Sequence, residues 1–117
     1  MKLEYSNAIN ILIITFPEMK IVYESDEEYT DLPYALYESG FVPLVMTQLR
    51  LNNLHELNKI FDFIETLLLH GDEMVVNLVA VAVVESLVFE DEYDKFKDII
   101  LNMCGERTRK SFNECIE

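Results

Sequence analysis

Two histidines, two cysteines and a surplus of carboxylates are the groups in this chain that could do chemistry. His55 and His70 fall towards opposite ends of one predicted helix. At helical rise they lie about 22 Å apart, too far to share a metal ion. No Cys-x-x-Cys or His-x-x-x-His pattern occurs. The acids from Asp26 to Asp31 lack the central glycine of a calcium loop. Cys104 precedes a glycine, but no nucleophile signature surrounds it and both histidines are distant in sequence. The glycines stand apart at 40, 71 and 105, so no phosphate-cradling loop is present. Glu65 and Glu85 have the residue type of an acid/base pair, yet nothing in their spacing fixes a separation. The expectation is therefore a protein with no catalytic residues, no metal and no cofactor.

The elements that must position these groups centre on Asp72–Phe89. Thirteen of the sixteen residues from Met74 to Phe89 are apolar, interrupted only by Asn77, Glu85 and Ser86. Its valines favour strands, and Leu78–Val84 alone would pass for one. The run is about twice a usual strand length, so it is read as a helix, buried on most sides. Asp72 suits its N-cap, with Glu73 in the first turn. The run is too short and too polar to span a membrane. Within it, Asn77 is expected to make a helix-to-helix hydrogen bond, and Glu85 to pair with a base or cap a neighbouring helix. The other reading places both at an exposed groove.

Leu54–Leu69 precedes it as an amphipathic helix. Leu57, Ile60, Phe61, Ile64, Leu67 and Leu68 form one stripe, and Phe63 faces away. His70-Gly71 is so short a connection that residues 54–89 should form an antiparallel helical hairpin. Residues 4–16 read as a first helix, with Tyr5, Ala8, Ile9, Leu12 and Phe16 at helical spacing and Pro17 as its stop. The β-branched cluster Ile11–Thr15 leaves a strand open there. Residues 17–38 are the least helical part: a short extended piece at Lys20–Tyr23 and then an acidic loop. After Gly40 a helix carries Val42, Val45, Met46 and Leu49, with Pro43 in its first turn and Asn52-Asn53 at its end. Two more follow, Tyr93–Met103 and Glu106–Ile116, broken at Gly105. The predicted fold is all-α, a single domain of about five to six helices. HEAT-like stacking is compatible with it, though no repeat of fixed period is present.

The formal charge is −13. It disfavours nucleic acid, whose phosphates would be repelled, and permits a basic protein partner. The excess is lopsided: residues 1–94 hold 18 acids and 4 bases, and residues 95–117 hold 4 acids and 5 bases. Two cysteines make no disulfide framework, which fits reduced thiols in a cytosolic protein. Lys2 and the apolar segment Ala8–Phe16 superficially suggest an export signal. Glu4 in the would-be basic region and the absence of a cleavage site after Pro17 argue against one. A cytoplasmic protein without a membrane anchor is expected.

The hairpin sequence resembles small, acidic, all-helical immunity proteins of bacterial polymorphic-toxin systems of the contact-dependent inhibition type. The residues that carry the likeness are Phe61, Ile64 and Glu65, then Gly71 and Asp72, then Val75, Asn77 and Glu85. Leu32-Pro33-Tyr34 and Gly105 with Thr108-Arg109 extend it. The resemblance implies a stoichiometric inhibitor whose partner is the C-terminal domain of a cognate toxin, often a basic nuclease. On that reading the contact residues are Asp26, Glu27, Glu28, Asp31, Tyr29 and Tyr34, followed by Glu90, Asp91 and Glu92. Glu65, Asp72, Asn77 and Glu85 would be structural polar groups of the hairpin. The rival is a helical interaction module that dimerises through apolar surface such as Phe63 and Phe89.

Overall fold

The computed structural model describes residues 2–116 and is all-α among them. A 3₁₀ turn, Tyr5–Asn7, leads into α1 (Ala8–Thr15). Ala8, Leu12 and Phe16 are fully buried at that helical spacing, and Pro17 ends the helix as its ring must. The β-branched cluster stays helical, with Ile14 simply exposed.

The extended piece expected at Lys20–Tyr23 is not there. Those residues lie in a helix, α2 (Met19–Glu24). Met19 is buried against the core while Lys20 and Glu24 approach each other on the wet face, so tertiary anchoring overrides a sequence with little periodicity. The acidic loop is a 3₁₀ turn, Glu27–Tyr29, in which Asp26 Oδ1 accepts from Glu28 N at 2.9 Å.

Pro33 opens α3 (Pro33–Leu36), which runs through a π turn, Tyr37–Phe41, into α4 (Val42–Arg50) without a break. The expected helix start after Gly40 is thus corrected. A proline inside a helix lacks an N–H and presses on the preceding turn. Here the turn just before Pro43 is widened, with Val42 N donating to Tyr37 O, and the helix continues. Asn52, with φ 52°, ends the ascent, and Asn53 caps α5 (Leu54–His70) through Glu56 N.

The central run is one continuous helical rod: α6 (Glu73–Leu78), a π stretch Val79–Glu85, and α7 (Ser86–Val88). It packs with α5 beyond the Gly71-Asp72 connection. The chain closes with α8 (Tyr93–Met103) and α9 (Glu106–Ile116), the latter lying against both α5 and the π stretch of the rod. The Cα radius of gyration, 13.2 Å, is about that of one compact domain of this length.

The core is mostly aliphatic, with an aromatic cluster set into it. Phe16, Phe41 and Phe63 meet tilted or edge-on with centroids 5.2–5.6 Å apart, an arrangement that adds to their area burial. Phe63 was expected to face outward. Only 7% of it is exposed, because Phe16 and Phe41 provide a second apolar wall behind α5. Tyr37 is fully buried, and its hydroxyl donates to Ala8 O at 2.8 Å, which ties α1 to the first π turn. Burial pushes its phenol well above the ordinary range. No helix among the described residues is long and apolar enough to cross a membrane.

Candidate binding groove

The polar residues of the hairpin divide into those that hold the fold and those left over. Asp72 holds two segments. Its Oδ1 accepts from Val75 N at 2.9 Å, capping α6 as expected, and its Oδ2 accepts from Tyr5 N at 3.0 Å. Leu3 pairs its backbone alongside, donating to His70 O and accepting from Asp72 N. The backbone donors, Val75 first and Tyr5 second, hold the Asp72 carboxyl below its ordinary range. Gly71 completes the corner. Its backbone is extended (φ −73°, ψ 152°), so its requirement is space rather than handedness. A Cβ there would strike the Leu67 carbonyl oxygen and come within 2.5 Å of Val75 Cγ1.

Glu65 does the capping that Glu85 was expected to do. Its Oε1 accepts from Thr108 N and Thr108 Oγ1, both at 2.9 Å, and its Oε2 from Arg107 N at 3.2 Å. A carboxylate at a helix N-terminus satisfies orphan amides and meets the positive end of the helix dipole. Burial pushes the Glu65 carboxyl up, but the Thr108 and Arg107 hydrogen bonds outweigh it and hold the group below its ordinary range. Gly105 leaves the room, since a Cβ there would meet the Glu65 carboxyl at 2.5 Å. Asn77 makes the expected helix-to-helix bond, its Nδ2 donating to Tyr34 Oη at 2.6 Å.

Glu85 has no such employment. It is exposed, and among the described residues it makes no hydrogen bond or ion pair. It stands where the two π turns pack against each other, and wide turns of this kind are frequent at functional sites. On one side the rod faces Glu38, Ser39 and Val42, across a depression of about 510 Å³. On the other it faces Ser111, Glu114 and Cys115 of α9, across one of about 430 Å³. Val81, Glu85 and Phe89 line both. A third depression continues along Val76 and Ala80 to Arg107 and Lys110. Together they run along the rod, which lines them with Val76, Ala80, Val81 and Phe89 and, among these, the polar Glu85 and Ser86. Phe89 is 76% exposed and Val81 41%. The rod is therefore not sheathed on all sides.

Of the residues expected to contact a partner, Glu90 lines the groove. Glu92 is bound to Arg50, whose Nε and Nη2 both lie 2.7 Å from Glu92 Oε1, and Asp91 is exposed. Asp26, Glu27, Glu28 and Asp31 are exposed on and beside their 3₁₀ turn, and line none of the groove's three sections. Tyr29 is half-buried against the core, and Tyr34 is tied to Asn77 and packed on Tyr5 at 6.2 Å. Glu38 and Glu114 were not singled out in the sequence, because only the packing of α3 and α9 brings them to the rod.

Glu65 and Glu85 line different depressions, so the acid/base pair does not form. His55, in the first turn of α5, lines a depression with Thr15 of α1, Lys59 and Asp62, whose apolar wall is the largely covered Phe63. Lys59 sits 4.9 Å over the Phe16 ring there. Burial raises the Cys104 thiol more than Arg109 lowers it, the reverse of what an activated nucleophile needs. Among the described residues no three His, Cys, Asp or Glu side chains gather as metal ligands.

Residues 9–117 match a family described as a domain of unknown function, DUF7674. The chain belongs to the DUF7674 family. The match takes in every helix from α2 to α9 and most of α1, so the DUF7674 unit includes the capped hairpin and the groove alike. Neither the curated proteins nor the solved structures compared with this DUF7674 chain give a match.

Proposed function

We propose that this protein is a stoichiometric, non-catalytic binder that neutralises a basic toxin domain, as the sequence resemblance to immunity proteins implies. The supporting observation is a set of unemployed carboxylates, Glu38, Glu85 and Glu90, around an exposed Phe89, on a chain of charge −13. Carboxylates can occupy the phosphate sites of a basic cleft, and an acidic field steers a basic partner into contact. Asp26, Glu27, Glu28 and Asp31 add to that field. The protein would act in the cytoplasm, where a producing cell must protect itself.

The test is co-expression with the C-terminal domain of the adjacent gene's product, which the reading requires to be toxic when expressed alone. The expected result is restored growth and a stoichiometric complex that survives gel filtration. A folded protein that gives neither rescue nor complex overturns the reading. A second reading, a homodimer closed over Phe89, is favoured by the exposure of that ring alone. Light scattering distinguishes the two, because the binder is monomeric before it meets its partner.

A further inference from the structure

Resting on that reading, we infer that the groove along the central rod takes a basic amphipathic helix of the partner, with apolar side chains seated on Phe89 and Val81 and lysines or arginines reaching Glu38, Glu85, Glu90 and Glu114.

Three features converge. The rod offers open apolar side chains, Phe89, Val81, Ala80 and Val76, to the three depressions, with Glu85 standing among them. From Val76 to Phe89 the rod rises about 20 Å, which matches roughly three to four turns of a second helix laid alongside. Helix-in-groove docking reads apolar anchors at such spacing. The rims carry the sign. Glu38 and Glu90 stand on one side and Glu114 on the other, with Glu85 between them, and among the described residues only Glu114 of these pairs with a base, Lys110 at 3.9 Å. An amphipathic helix with basic flanks answers both the apolar side chains and the rims. A second copy of this chain answers only the apolar side chains, because two bodies of charge −13 repel. The basic pair Arg107 and Lys110 at the far end gives the groove polarity, so the partner's helix would lie with its more basic end over Glu38 and Glu90.

The chain has no tryptophan, so a tryptophan in a peptide reports binding alone. The probe is a synthetic helix of about 13 residues, three to four turns in length, with leucines on one face, lysines on the other and one tryptophan among the leucines. A scrambled peptide of the same composition is the control. The helix is expected to bind with a blue-shifted emission and the scrambled peptide to bind far more weakly. Phe89→Asp should weaken the helix about tenfold or more, as loss of a central aromatic anchor does. Glu85→Lys should weaken it and flatten its salt dependence. The matched reversal Asp62→Lys, outside the groove, should leave affinity unchanged. Phe89 and Glu85 are exposed, so circular dichroism of both variants should match the parent.

Equal binding of the scrambled peptide, or undiminished binding by Phe89→Asp, overturns the inference. So does a wild-type dimer that Phe89→Asp dissolves. If Phe89→Asp still neutralises the toxin domain, the groove assignment fails while the inhibitor reading stands. If the helix peptide binds through Phe89 but the toxin domain forms no complex, the groove assignment stands and the inhibitor reading fails.

Discussion

The two ends of the central rod are built from the same kind of residue and treated in opposite ways. At the Gly71 end every polar group singled out has a partner. Asp72 serves Val75 and Tyr5, and Asn77 serves Tyr34. At the Phe89 end Glu85 and Glu38 have none among the described residues, and a phenylalanine stands in solvent. Asp72 is half-buried, and such a group without a partner would cost stability, so the first end reads as architecture. Exposed carboxylates beside exposed apolar surface are what the proposed partner would meet at the second.

If that division holds, damage at the first end should appear in stability and damage at the second in binding. The largest expected effect is Gly71→Ala. Its Cβ would meet backbone and a β-branched side chain, neither of which can swing away, and the cost should be about 3 kcal/mol by urea denaturation. A change under about 1 kcal/mol would mean that the corner is loosely packed.

Glu65→Ala should cost about 1–2 kcal/mol, the loss of a charged cap on two amides and a hydroxyl. This contribution depends on pH. The folded-state group titrates below its ordinary value of 4.5, so the ionised form is favoured by folding. The stability it gives is fully present above the ordinary carboxylate range and is lost as pH falls through the folded-state value. Denaturation midpoints of the parent and Glu65→Gln should therefore differ at neutral pH and converge in acid. A gap that persists at low pH would mean that the cap does not act through its charge. Asp72, held down mainly by the Val75 and Tyr5 amides, should behave with the same sign in Asp72→Asn.

Phe89→Asp should move stability by less than about 0.5 kcal/mol, which sharpens the contrast with the first end. The smallest stability effect belongs to the exposed pair Asp26→Lys with Glu28→Lys, whose consequence should instead be a slower encounter with the proposed toxin partner and a weaker dependence on salt. An unchanged rate would remove that cluster from the steering field.

Much of this was legible in the sequence where periodicity and breakers agree. Leu57 to Leu67, Phe96 with Ile100, and the gap at Gly105 placed α5, α8 and α9 nearly to the residue. The rod itself followed from an apolar run too long for a strand. Signals failed where a local rule met a tertiary reason to break it. Gly40 and Pro43 look like punctuation, yet a π turn carries the helix through them. Lys20–Tyr23 has no helical pattern, but Met19 anchors it. Phe63 breaks the α5 stripe only until Phe16 and Phe41 are folded behind it. At the groove, Glu90 and Phe89 stood out from the acidic run after an apolar helix. Glu38 and Glu114 did not, because their importance lies in which helices meet. Glu65 keeps the structural role expected of it and takes the capping expected of Glu85 for the same reason: α9 docks its N-terminus over Glu65 and leaves Glu85 open.

The central proposal, that the carboxylates meet a basic partner, is tested most directly by the association rate of this protein with the proposed toxin partner as ionic strength rises. The account predicts a rate that falls by about tenfold or more between low and high salt, as steering by opposite charge requires. A rate that stays level across the range would contradict it.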